Sequence, residues 1–183
     1  MNKVRCIYNN IPKKLKRSFL RFFLSFFSAW LITIILNDLP FFSQVFINMN
    51  LDTFLQNSLV WLTEHQLNIL GFETYSVGKF LQIIGSSGIR YEYGCLGIRH
   101  FILFSAFILF YFGKMHHKLI YIIIGFILLL IVNSLRGTII SIGQYLREDV
   151  TMLVHDISTP ILMYSTILIL WIYWVNKHLK TSK

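Results

Sequence analysis

Acidic side chains are the scarcer charge in this sequence: eight Asp and Glu stand against 17 Lys and Arg in 183 residues, for a formal charge of +9. The charged types together make up only 14 % of the chain, whereas 55 % is hydrophobic and 16 % aromatic. With a mean hydropathy of +0.61 and its apolar residues gathered in long runs, the chain reads as an integral membrane protein rather than a soluble domain. Internal repeats, low-complexity tracts and Pro/Gly/Ser-rich linkers are also missing. Nothing therefore marks a domain boundary, and residues 1–183 are expected to form a single membrane-embedded domain. Cysteine is nearly absent, with Cys6 in the N-terminal tail and Cys95 near the middle. That leaves no cysteine pair on one face for a disulfide-forming oxidoreductase.

What is present is a set of apolar runs at about 22–36, 98–112, 119–141 and 155–175. Each reads as a transmembrane helix, so the expected fold class is an all-α polytopic membrane protein with about four spans. The first run follows Lys13-Lys14-Leu15-Lys16-Arg17 as a secretory signal would, but after Trp30 it ends in bulky residues and so reads as a retained anchor. Placing both termini and the loop between Phe112 and Leu119 in the cytoplasm puts twelve of the 17 Lys and Arg inside. Only Lys79, Arg90, Arg99, Arg136 and Arg147 remain at the outer face, with all the carboxylates. The positive-inside rule is satisfied, and the expected location is the plasma membrane. The basic ends account for the pI of about 9.7, which makes anionic membrane lipid the expected partner and not nucleic acid. This topology also separates Cys6 from Cys95 by the bilayer, so the two form no disulfide with each other.

Residues 37–94 form the one sizeable extracytoplasmic segment. Leu51–Leu70 places Phe54, Leu55, Leu59, Leu62, Leu67 and Leu70 on a rough helical period, while Gln56, Asn57, Glu64, His65 and Gln66 make it too polar to span. An interfacial amphipathic helix is expected there. Tyr75–Ile84 and Ile89–Tyr93 read as two short strands around Gly85-Ser86-Ser87-Gly88, a small β-hairpin leading into Cys95.

Three polar residues are candidates for chemistry. Counted to the lysine at the far end of each apolar run, Cys95 to Lys114, Lys118 to Arg136 and His155 to Lys177 give about 28, 27 and 33 Å at ~1.5 Å per residue, each near the roughly 30 Å hydrocarbon thickness. All three fall at one water-facing rim. An unpaired cysteine facing an oxidising compartment is a liability unless its thiol is used. Cys95 stands at the start of the helix expected from Leu96, where the dipole favours a thiolate, and Gly94 and Gly97 leave room for a substrate backbone. Arg136 shares a helical face with Asn133, and an intramembrane cation is a functional hypothesis by default. His155 opens the last span beside Asp156. A metal or haem centre built from His65, His100, His116, His117 and His155 is disfavoured, because these divide between the two sides and His116-His117 lacks helical ligand spacing. No metal and no cofactor is expected. Ser86 and Ser87 read as turn residues rather than nucleophiles. The competing non-enzymatic reading is a membrane scaffold for a protein export or surface-assembly system, with Cys95 incidental.

These residues resemble the exosortase/archaeosortase family of multi-pass membrane cysteine transpeptidases. Gly94-Cys95-Leu96-Gly97-Ile98-Arg99 is similar to the family's Cys-x-Gly segment, Asn133-Ser134-Leu135-Arg136 to its Asn-x-x-Arg, and His155 to the histidine opening its last helix. Two departures stand out: Leu96 replaces a small polar residue, and Thr159-Pro160 stands where a glycine is expected. The resemblance covers about residues 70–175 and implies a compact-core type. It implies a peptidase or transpeptidase with Cys95, Arg136 and His155 as catalytic residues, acting through an acyl-thioester on Cys95. His155 is favoured as proton donor and Arg136 as electrostatic stabiliser, with Asn133, Arg99 and Gly97 in support. The implied substrates are secreted proteins whose C-terminal sorting signal comprises a short motif, one transmembrane helix and a basic tail.

Overall fold

The computed structural model describes residues 13–38 and 50–181. Cys6, the basic residues before Lys13 and positions 39–49 of the expected extracytoplasmic segment lie outside the described residues. Within them the order is helix α1 (Lys13–Asp38), helix α2 (Leu51–Ile69), strands β1 (Thr74–Val77), β2 (Phe80–Ile83) and β3 (Ile89–Arg90), then a 3₁₀ turn, Tyr93–Cys95. Helix α3 (Ile98–Phe110) and helix α4 (Met115–Leu146) follow. A last helical run then comprises α5 (Thr151–Thr159), a π-helical segment Pro160–Tyr164, and α6 (Ser165–Thr181).

Two helical stretches among the described residues, Met115–Leu146 and Thr151–Lys177, are long and apolar enough to cross a membrane. The apolar stretches Leu20–Ile35 and Ile98–Phe110 are shorter. Thus two of the four expected spans meet the requirement of length, and two coincide with shorter helices. The limit on α3 is visible at its C-terminal end, where Lys118 Nζ donates to Leu109 O at 2.7 Å and so satisfies a carbonyl in the last turn. Its 13 residues rise only about 20 Å. The count from Cys95 to Lys114 therefore overstated a helical span, whereas Lys118 to Arg136 lies wholly inside α4.

The expected hairpin is instead a three-stranded antiparallel sheet in the order β1-β2-β3. The stretch taken as one strand, Tyr75–Ile84, folds back on itself at Gly78-Lys79, pairing Val77 with Phe80 and Thr74 with Ile83. The Gly85–Gly88 turn then delivers β3, which pairs Leu81 with Ile89. A second difference concerns α2. The helix forms where the hydrophobic period placed it, but its polar Gln66 turns inward. Gln66 Nε2 donates to Ser134 Oγ at 2.8 Å, and Thr138 Oγ1 donates to Gln66 Oε1 at 2.6 Å, tying α2 to α4.

Two apolar clusters carry the packing. One joins Ala29 of α1, Phe104 and Phe107 of α3, Leu129 of α4 and Met163, Ile167, Trp171 and Trp174 of the last helical run. There the Phe107 and Trp171 rings stack with centroids 4.3 Å apart. The other joins Leu55, Leu59 and Leu67 of α2 to Leu81 and Ile83 of β2, and to Tyr91, Leu96 and Ile98. Where α3 crosses α4, Gly125 faces the Phe104 ring so closely that a Cβ would overlap it. Cys95 packs against the second cluster, at the junction between the sheet and the helices.

Candidate active site

The 3₁₀ turn that carries Cys95 is fixed by its backbone: Cys95 N–H donates to Glu92 O at 2.8 Å. Two residues on, Gly97 adopts φ 77° as the N-cap of α3, a left-handed conformation that glycine takes without a Cβ penalty. A Cβ there would also stand 3.3 Å from Asn133 Nδ2. This reversal separates Cys95 from the helix. The cysteine precedes the first turn of α3 rather than standing in it, so Arg99, inside α3, does not share a helical face with it.

Asn133 links this turn to α4. It is 2 % exposed, and its Nδ2 donates to Cys95 O at 2.8 Å, while its Oδ1 accepts from Arg136 Nη1 at 3.4 Å. Arg136, 5 % exposed, uses the rest of its guanidinium across to the last helical run. Nε donates to Thr159 Oγ1 at 2.6 Å, and Nη2 lies 2.7 Å from His155 Nε2. A guanidinium has no acceptor, so Nη2 is the donor and His155 Nε2 the acceptor. The imidazole is thereby the tautomer with its proton on Nδ1, which points at Asp156 Oδ1 at 3.1 Å. Thr159 Oγ1 donates in turn to His155 O at 2.9 Å, so the two sit one turn apart and grip Arg136 together.

His155 does not open the last helix. Thr151–Thr159 begins one turn earlier, so the imidazole stands within the helix rather than at its first residue. Directly after Thr159 the run becomes π-helical from Pro160 to Tyr164. Proline withholds the amide that an α-helical turn would bond, and π-turns cluster at functional sites.

Cys95, Arg136 and His155 line two cavities together, one of about 630 Å³ and one of about 360 Å³. Asn133, Gly97 and Arg99 line the larger of these. Cys95 is a half-buried free thiol. Sequence reasoning missed Thr159 as a partner of Arg136. The available signal was its four-residue spacing from His155. It also missed Tyr91, 3 % exposed, whose hydroxyl lies 2.6 Å from Thr63 Oγ1. Thr63 Oγ1 itself donates to Ser134 O at 3.3 Å, so the Tyr91 hydroxyl is the donor to Thr63. Burial pushes the Tyr91 hydroxyl up to about 12. Gly137 of α4 leaves the space this hydroxyl fills, beside Arg136.

The arrangement thus gathers a thiol, an imidazole with a carboxylate on its far nitrogen, and a multiply held guanidinium. Those are the parts of nucleophilic acyl transfer. No curated protein and no solved structure gives a match. A family model described as transmembrane exosortase matches residues 16–173, from the first turn of α1 to the middle of α6. With that match covering most of its length, the chain belongs to the transmembrane exosortase family.

Proposed function

We propose that this protein is a membrane cysteine protease or transpeptidase that cleaves C-terminal sorting signals of secreted proteins through an acyl-thioester on Cys95. The observation that carries the reading is the continuous set of hydrogen bonds from the Cys95 carbonyl through Asn133 and Arg136 to His155. It joins three separate elements at the one half-buried free thiol among the described residues. The proposed topology has four spans in the plasma membrane, cytoplasmic termini and the Cys95 site on the extracytoplasmic face, with basic ends against anionic lipid.

In this mechanism His155 Nε2 leaves Arg136 and takes the Cys95 thiol proton, while Nδ1–H stays on Asp156 Oδ1. The thiolate adds to the scissile carbonyl, and the oxyanion forms beside the Arg136 guanidinium. Collapse expels the amine of the anchor side, which takes the proton from His155 Nε2. An acceptor amine then resolves the thioester in transpeptidation, or water does so in hydrolysis.

Processing of secreted proteins with a shared C-terminal signal, in cells carrying wild-type, Cys95→Ala or Cys95→Ser protein at matched membrane abundance, tests this directly. Loss of cleavage in both variants is the expected result. Unimpaired cleavage by Cys95→Ala overturns the cysteine mechanism and leaves a scaffold.

A further inference from the structure

The two cavities at the candidate residues share Cys95, Arg136 and His155 in their walls and diverge everywhere else. The larger is walled by Ile98, Ile102, His100 and Tyr164. It continues into a third cavity of about 620 Å³ that also touches Arg99, His100 and Tyr164 and runs between α1, α3 and the last helical run, past Trp30, Leu103 and Trp171. The smaller, of about 360 Å³, lies on the other side, along positions 88–91, which include strand β3, and against Gln144, Thr151 and Met152. The three candidate residues therefore form a partition between a path that leads among helices and a slot beside a strand.

The two sides differ in what they can hold. A helix with its side chains is about 10–12 Å across, so a helical segment needs the larger space of the adjoining cavities of about 630 and 620 Å³. An extended segment needs only the roughly 4.7–4.9 Å spacing of a neighbouring strand. Strand β3 offers that neighbour, because β2 covers only one of its edges. Tyr91 N–H, one residue after the strand, donates back to Lys79 O at 2.9 Å. Alternation along the strand then turns the Arg90 N–H to the open edge, where the Arg90 carbonyl accepts from Glu92 N–H at 3.1 Å, and Arg90 lines the smaller cavity.

We infer that the substrate polypeptide crosses the partition, in an assignment that rests on the peptidase reading above. Residues before the scissile bond bind as an added strand along β3 in the smaller cavity. Residues after it pass His100 and Tyr164 into the groove of α1, α3 and the last run, where the anchor helix seats. The scissile carbonyl then falls on the wall at Cys95. Gln144 and Met152 contact the side chains ahead of the bond, and Leu103 and Trp171 contact the anchor.

Site-specific photocrosslinking in the full-length Cys95→Ala protein tests the assignment. A photoreactive phenylalanine analogue is placed at Met152 or at Leu103, a sorting-signal substrate is co-expressed, and the crosslinked substrate residues are mapped by mass spectrometry. Crosslinks from Met152 confined to residues ahead of the bond, with those from Leu103 confined to the anchor, are expected. Crosslinks in the reverse order, or mixed from both positions, overturn the two-sided path. So does the absence of crosslinks at both positions for a substrate that the wild-type protein processes. If the wild-type protein fails to process any such substrate, the peptidase reading itself falls, and the path falls with it as a separate outcome.

Discussion

At the scale of single residues, the guanidinium of Arg136 organises the candidate site, because three of its nitrogens are committed to three different side chains. A lysine has a point charge and no planar fork. Arg136→Lys is therefore expected to cut processing by roughly 10²–10³, the range for a lost oxyanion donor, at unchanged abundance. Thr159 acts through Arg136 and is a positioning residue. Thr159→Val strands a buried N–H, which costs about 1–3 kcal/mol, so cleavage falls about fivefold or more. Thr159→Ser, keeping the hydroxyl, restores it. Tyr91 gives a test in pH. Its hydroxyl titrates near 10 when the chain unfolds and near 12 when folded. The raised value means that the neutral form stabilises the fold fully below pH 10, and that this contribution is lost as pH rises from 10 to 12. Two pH units amount to about 3 kcal/mol. Thermal unfolding of the detergent-solubilised protein is expected to hold steady up to pH 10 and then weaken, and Tyr91→Phe removes this part of the slope.

Individual elements show where sequence was sufficient and where it was not. The period of Phe54, Leu55, Leu59, Leu62, Leu67 and Leu70 located α2; Leu55, Leu59 and Leu67 are buried, whereas Phe54 and Leu70 are exposed. The period carries no information on partners, so Gln66 read as a solvent residue although its hydrogen bonds run to Ser134 and Thr138. The alternation from Tyr75 to Ile84 was legible as strand, but its reversal at Gly78-Lys79 was hidden because one glycine is a weak turn signal in an alternating run. Cys95, Arg136 and His155 were picked out by type and depth. The four-residue spacing put Thr159 on the face of His155, but its bond to Arg136 bridges 23 positions of sequence and depends on how α4 and α5 pack. At the crossing of α3 and α4, Gly125 is packed against the Phe104 ring. Gly125→Ala raises helix propensity yet forces that crossing apart, at a cost of about 1–3 kcal/mol. A lower melting temperature than wild type is the expected result, and partial recovery by adding Phe104→Leu locates the clash.

Taken whole, the molecule places its two apolar clusters on either side of the candidate site, and the last helical run reaches both regions. His155 and Thr159 stand in its first part against Arg136, while Met163, Ile167 and Trp171 stand beyond in the cluster with α1 and α3. The π-helical segment Pro160–Tyr164 lies between them, and a π-turn holds one residue more than an α-turn. That extra residue is absorbed by the wider turn. At 3.6 residues per turn, each residue advances an α-helix by about 100°, so a deletion in a purely α-helical stretch would turn one part against the other by that angle. Removing one residue from Pro160–Tyr164 instead closes the π-turn to an α-turn and leaves the two parts in phase. A single-codon deletion here is therefore expected to remove the bulge while the tryptophan face and the imidazole both stay seated.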